Sequence, residues 1–276
     1  MTVVQAIILG IVQGLTEFLP ISSIAHLRVI PALLGWPDPG AAFSAVIQLG
    51  TLVAVLVYFG RDLRVMTRAV LEGIFEGRPW RKQEARLACF IGLGTLPIGI
   101  CGLLFKGQIE GEFRSLYVIS ASLIVLGILL WVAERTATFR RDVGQVGFVD
   151  SQVIGLAQAL SLIPGSSRSG TTMTAAMFLG LTREAAARFS FILGIPAIAA
   201  AGLFELRDLV RHGLSGAGLP ALVIGILTSA VSGYLAIDLL LRYLRTRTTH
   251  IFVWYRIGLG LLLLGLLAGG VLAPLG

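Results

Sequence analysis

Glu17, Ser22, Ser23 and His26 crowd into a ten-residue window, and Gln13 stands four residues before Glu17. A carboxylate, two hydroxyls and an imidazole are the parts of an activated nucleophile. Gln13 and Glu17 share a face if this segment is helical. Pro20 breaks that helix, so Ser22 and Ser23 stand where a new one would start, a position where serine caps free N–H groups. The spacing lets His26 reach either hydroxyl on one helical face. Blander roles exist for each: a serine that only caps, a Glu17 that only pairs with Arg168 or Arg28, an interfacial His26.

A second group reads Pro164-Gly165-Ser166-Ser167-Arg168-Ser169-Gly170-Thr171-Thr172. Small residues let backbone N–H groups face inward, and a helix starting just after points its positive end at the same spot. Arg168 supplies a fork matched to phosphate oxygens. The segment differs from a P-loop, which needs Gly-Lys-Ser/Thr after a strand. The first group offers nucleophile, base and carboxylate; the second, with Gly165, Ser166, Ser167, Ser169, Gly170 and Thr171, offers an anion cradle. Joined, they imply phosphoryl transfer.

The elements that must position these residues follow from composition. The 276 residues are 56% hydrophobic and 13% charged, with mean hydropathy +0.88. Soluble domains carry roughly 25% charged residues, and disordered chains are less hydrophobic still. The expectation is an all-α polytopic membrane protein forming a single membrane domain over residues 1–276. Six charge-free stretches read as spans: Ala41–Phe59, Leu87–Phe105, Leu116–Ala133, Phe189–Phe204 (interrupted by Pro196), Ala217–Ile237 and Ile257–Gly276. The net charge of +7 reflects Lys and Arg in cytoplasmic loops rather than a nucleic-acid partner. Cys89 and Cys101 have no metal-like spacing. The first apolar stretch lacks a basic leader and a cleavage site, so it reads as retained.

Both chemical groups fall outside those spans. Val3–Val12 and Val153–Ile163 are too short to cross, break at a proline, and resume as Leu27–Leu34 and Met173–Leu181. That is the pattern of two re-entrant helical hairpins. Gly10-Ile11-Val12-Gln13 matches Gly155-Leu156-Ala157-Gln158, and Pro20-Ile21-Ser22-Ser23 matches Pro164-Gly165-Ser166-Ser167 with one residue dropped between the blocks. Phe43-Ser44 and Phe189-Ser190 follow. Repeat units of approximately 1–140 and 150–276, each with one hairpin and three spans, would be inverted, with the breaks meeting near the bilayer midplane.

With six spans and two returning hairpins, fifteen Lys/Arg fall on one face: seven from Arg61 to Arg86, then Arg135, Arg140, Arg141, Arg183, Arg188, Arg242, Arg245 and Arg247. Lys106, Arg114, Arg207 and Arg211 fall on the other. The basic face is then cytoplasmic, and the first hairpin lies on the outer side.

Gln13 and the run Gly14-Leu15-Thr16-Glu17-Phe18-Leu19-Pro20-Ile21-Ser22-Ser23 with His26, together with Pro164–Gly170, resemble the two signature motifs of bacterial undecaprenyl-diphosphate phosphatases of the bacitracin-resistance type. The resemblance extends to Phe43, Gln48 and Tyr255-Arg256. It implies removal of the terminal phosphate from the C55 isoprenoid diphosphate, recycling the carrier lipid of cell-wall synthesis at the outer side of the plasma membrane. It also implies a divalent cation, Mg²⁺ or Ca²⁺, with Gln13 and Glu17 as the family's carboxylate positions and Glu17 as metal ligand. Ser23 maps to the candidate nucleophile, His26 to the family's histidine and Arg168 to its phosphate-binding arginine. Ile24-Ala25, Arg28 and Ser44 depart from the usual pattern, where Thr/Ser-Gly, an apolar residue and often Glu are found.

The leading expectation is a lipid-diphosphate phosphatase in which Ser23 attacks, or His26 or Glu17 activates a water, with Gln13, Ser22 and the second hairpin binding the diphosphate. A flippase or transporter for an anionic headgroup is the rival, since broken helices are common there. A scaffold leaves the polar residues without a purpose. A homodimer is an open alternative, because Gly258, Gly260 and Gly265 can pack within the bundle or against a partner.

Overall fold

The computed structural model describes residues 1–212 and 218–273, with the side chains of all but residues 41, 110, 112 and 208–212. The Arg211 side chain, Ala217 and residues 274–276, used in the charge and span readings, lie outside it. Among the described residues the chain is helical throughout: α1 Val3–Phe18, α2 Ser23–Leu33, α3 Gly40–Tyr58, α4 Gly60–Phe75, α5 Gln83–Leu104 and α6 Lys106–Glu110, then α7 Leu116–Thr136, α8 Phe148–Ala159, α9 Arg168–Phe178, α10 Arg183–His212, α11 Leu219–Leu244 and α12 His250–Ala268.

Five of these, α5, α7, α10, α11 and α12, are long and apolar enough to cross a membrane, and α3 with α4 passes the same test as a pair bent by 75°. Several expected spans differ at their ends, and one expected loop is a helix. Pro196 does not interrupt α10, which continues into charged ends as one helix. The last span begins at His250, so Arg256 lies inside it. The Arg-rich segment after Phe59, read as a loop from its charge, is the helix α4, which buries Met66, Ala69 and Gly73. Those three recur at helical spacing, a periodicity that the charges conceal.

The site is carried by two helix–break–helix units. Thr2 and Gln5 cap α1 reciprocally. Leu19 then turns extended, as a residue before proline must. Ile163 does the same before Pro164, after the 3-10 turn Leu160–Leu162 that ends α8. Ser22 restarts the first unit and Ser167 the second, with φ of 75° and 67°. Ser22 Oγ accepts the Ala25 N–H and Ser167 Oγ accepts the Gly170 N–H.

These caps correct the expected alignment. The first arms open at Val3 and Phe148, the second arms at Ser23 and Arg168, and these close at Leu33 and Phe178. The two units therefore match at a constant offset with no dropped residue. The structural partner of Ser22 is Ser167, and that of Ser23 is Arg168. Pairing the prolines created the gap, because Pro164 sits one place further from its cap than Pro20 does.

Packing places the two units against corresponding walls. Helix α1 packs on α11, and α8 packs on α5. A Cβ on Gly10 would stand 2.5 Å from the Gly225 carbonyl, and one on Gly155 would stand 2.1 Å from the Gly94 carbonyl. Such contacts need small residues on both helices. Gly260 packs on α7, whereas no atom of the described residues lies within 4 Å of where a Cβ of Gly258 or Gly265 would be. The main core joins both units, holding Phe18 of α1, Ile154 of α8 and Met173 of α9; Phe18 meets Phe191 of α10 edge-on, centroids 5.1 Å apart.

Candidate functional site

The breaks at Pro20 and Pro164 meet, and their backbone must be satisfied away from water. Carbonyls freed by a break cost several kcal/mol when left unpaired in an apolar surround. Arg256, fully buried in α12, satisfies them. Its guanidinium donates to the carbonyls of Pro20 (3.2 Å), Gly165 (3.2 Å) and Ser166 (3.0 Å). Ser169 Oγ adds a bond to the Leu19 carbonyl at 3.0 Å. Gly165 turns with φ of 91°, and a Cβ there would stand 2.5 Å from the Ile119 carbonyl, so the second break is fixed by both shape and conformation.

Glu17 is the centre of the arrangement. Its Oε1 accepts from Arg168 Nη2 at 3.1 Å, and its Oε2 accepts from Ser23 Oγ at 2.6 Å and from Gln13 Nε2 at 2.8 Å. Glu17, Ser23 and Gln13 are all buried. A Cβ on Gly194 would stand 1.1 Å from Arg168 Nη1, so the guanidinium lies in the place that only a glycine leaves open. Three buried polar atoms in this region have no hydrogen-bond partner: Arg168 Nη1, Gln13 Oε1 and Ser166 Oγ. Unpaired buried groups are costly, and a ligand or an ordered water is one way of completing their bonding.

His26 departs from the expected arrangement. Its Nδ1 lies 2.7 Å from the Ser22 carbonyl oxygen and its Nε2 lies 2.6 Å from Tyr255 Oη. Neither ring nitrogen bonds to the Ser22 or Ser23 hydroxyl, because the Ser22 hydroxyl caps α2 and that of Ser23 turns to Glu17. A carbonyl only accepts, so Nδ1 carries the proton and Nε2 accepts from tyrosine. The rings of His26 and Tyr255 are stacked, 8° from parallel. Arg28, a possible partner of Glu17 by sequence, pairs instead with Asp38.

A cavity of about 250 Å³ opens on this group. Of the expected site residues, Glu17, Ser22, Ser23, Gly165, Ser167 and Arg168 line it. Ser44, Gln48, Ile98, Arg114, Ala197, Ile198 and Ala201 add to the wall. Gln13, His26, Ser166, Ser169, Gly170 and Thr171 do not line it. Gly170 N–H caps on Ser167, and Thr171 Oγ1 bonds the Arg168 carbonyl, so these two shape the second break from within. Tyr255 and Arg256 had no role from spacing, yet an arginine deep in an apolar helix is itself a functional signal.

No group of three or more His, Cys, Asp or Glu that could hold a metal ion occurs among the described residues. Glu17 and the unpaired Gln13 Oε1 are the oxygen donors at hand. That set is too small to cage an ion alone but fits one shared with phosphate oxygens and waters.

The chain is similar to known proteins over its whole length. A family profile described as bacitracin resistance protein BacA matches residues 6–262. The undecaprenyl-diphosphatase of Myxococcus xanthus (strain DK1622) is 55% identical over 275 residues, covering 100% of this chain and 92% of that protein. The undecaprenyl-diphosphatases of Chlorobium phaeobacteroides (strain BS1) and Chlorobium phaeovibrioides (strain DSM 265 / 1930) are 52% and 53% identical, covering 99% of this chain and 99% and 100% of theirs.

Proposed function

The chain belongs to the bacitracin resistance protein BacA family, and from that premise we propose that it hydrolyses undecaprenyl diphosphate to undecaprenyl phosphate and inorganic phosphate. It is a multi-pass membrane protein. The observation that carries the reading is the convergence of Ser23 and Arg168 on the two oxygens of one carboxylate, Glu17, in the wall of a cavity.

In this mechanism Glu17 Oε2 takes the proton of Ser23 Oγ as that oxygen attacks the terminal phosphorus. The bond from that phosphorus to the bridging oxygen breaks, and undecaprenyl phosphate leaves. Glu17 gives that proton up to the departing phosphate; water then attacks the phosphoserine, Glu17 takes a proton from it and returns it to Ser23 Oγ as the Ser23 oxygen–phosphorus bond breaks, and phosphate is released. Arg168 and the starts of α2 and α9 stabilise charge on the phosphoryl oxygens. Both nitrogens of His26 are engaged elsewhere, which favours Ser23 over a water activated by His26; His26 with Tyr255 positions the first turn of α2. A divalent cation, Mg²⁺ or Ca²⁺, held by Glu17 and Gln13 Oε1 would neutralise phosphate charge when bound.

We assign the fold as six spans and two re-entrant hairpins in an inverted repeat over approximately 1–140 and 150–276. The constant offset of the hairpins and the corresponding packing of α1 on α11 and α8 on α5 support it. The cavity wall includes Arg114, on the face poor in Lys and Arg, which favours opening to the outer side. The diphosphate headgroup would occupy the cavity, leaving the prenyl tail among membrane lipids.

Purified protein in detergent, with no sealed compartment, is expected to release inorganic phosphate from undecaprenyl diphosphate and to lose most of that activity with a chelator. A flippase or transporter would release none.

A further inference from the structure

The cavity that holds Glu17, Ser23 and Arg168 contains a second guanidinium in its wall. Arg114, at the end of the 3-10 turn Glu112–Arg114, lines it. Arg114 Nη2 lies 2.9 Å from Asp38 Oδ2, and Arg28 Nη1 lies 2.9 Å from the same oxygen. The other oxygen of Asp38 accepts the Gly40 N–H at 3.1 Å. One carboxylate oxygen thus serves two guanidiniums beside the cavity.

Resting on the phosphatase reading, we propose that Arg114 binds the second phosphate of the substrate, the one that keeps the prenyl chain, and that Arg28 makes this possible by holding Asp38. A charge partly removed from water must stay paired. When Arg114 turns to phosphate, Asp38 remains paired with Arg28, so the exchange leaves no orphaned carboxylate. Without Arg28, Asp38 would compete for Arg114 at full strength.

This contact holds the headgroup in the ground state, so its loss raises KM; the same phosphate is the leaving group and gains charge as the bridging bond breaks, so kcat falls as well. Steady-state phosphate release from undecaprenyl diphosphate in detergent reads it. Arg114→Gln raises KM about tenfold, the usual effect of a lost charge-assisted bond. Asp38→Asn, which keeps the oxygen for the Gly40 N–H, lowers KM a few-fold, and this gain vanishes in the Arg114→Gln background. Arg28→Leu raises KM, and adding Asp38→Asn reverses the rise.

An unchanged KM in Arg114→Gln, or an Asp38→Asn gain that persists without Arg114, overturns the proposal. If Arg114→Gln does not fold, the Asp38→Asn gain and the Arg28→Leu reversal read the same claim, and absence of both overturns it. Wild-type protein that releases no phosphate sinks the phosphatase reading itself; active wild type with a flat set of variants sinks only the Arg114 assignment.

Discussion

Ser22 and Ser167 hold the same place in the two hairpins. Each sits in the positive-φ region and caps an eleven-residue helix through its own hydroxyl. The residue after the cap differs: Ser23 in the first hairpin, Arg168 in the second. Both nevertheless turn to one carboxylate, Ser23 to Oε2 of Glu17 and Arg168 to Oε1. The position matching Glu17 in the second hairpin is the apolar Leu162. Two similar backbones therefore build one site rather than two, because only one of them supplies the acid. The glutamines repeat the contrast. Gln13 bonds Glu17 through Nε2, while the matching Gln158, equally buried, leaves both amide atoms unpaired.

If the asymmetry at Glu17 makes the site, removing that carboxylate has the largest effect. Glu17→Ala is expected to lower kcat by about 10³, within the range for loss of a general base, as read by phosphate release from undecaprenyl diphosphate. Gly194→Ala tests the other partner, Arg168, without substituting it. Its methyl would take the place of Arg168 Nη1, and a displaced phosphate-binding group costs about 10² in kcat. Preserved activity there would mean that Arg168 does not need its present position.

Tyr255→Phe removes one hydrogen bond from His26 and is expected to lower kcat about tenfold or less. An unchanged rate would leave the tyrosine as packing only. The smallest effects compare the glutamines. Gln13→Leu should lower activity a few-fold, since one charge-assisted bond to Glu17 is lost. Gln158→Leu should leave activity intact and raise thermal stability, by about 1 kcal/mol, because a buried amide without partners is removed. An activity loss in Gln158→Leu matching that of Gln13→Leu would erase the functional difference between the hairpins.

The breaks, and most of the residues around them, were legible because their causes are local. Pro20 and Pro164 stop a helix, serine restarts one, and Glu17 stands out in an apolar segment. The meeting of Glu17 with Arg168 followed from matching the two halves. Other features depend on contacts that spacing along the chain does not carry. Tyr255 reaches His26 across 229 residues, and Arg256 reaches Pro20 across 236. His26 faced hydroxyls in a local helical reading, and only the approach of α12 shows what Nε2 bonds instead. The spurious one-residue gap arose because prolines are conspicuous in sequence, whereas a positive φ at a serine leaves no mark there. Helix α4 was hidden by charge in the same way.

The most direct measurement is the turnover number for phosphate release from undecaprenyl diphosphate by purified Arg168→Ala beside wild type, in detergent and with equal amounts of folded protein. Joint action of the two hairpins on one headgroup predicts a fall in kcat of about 10² to 10³, the usual consequence of losing one preorganised charge stabiliser. Wild-type turnover by that variant would contradict it, since the second hairpin would then contribute nothing to the chemistry at Glu17 and Ser23.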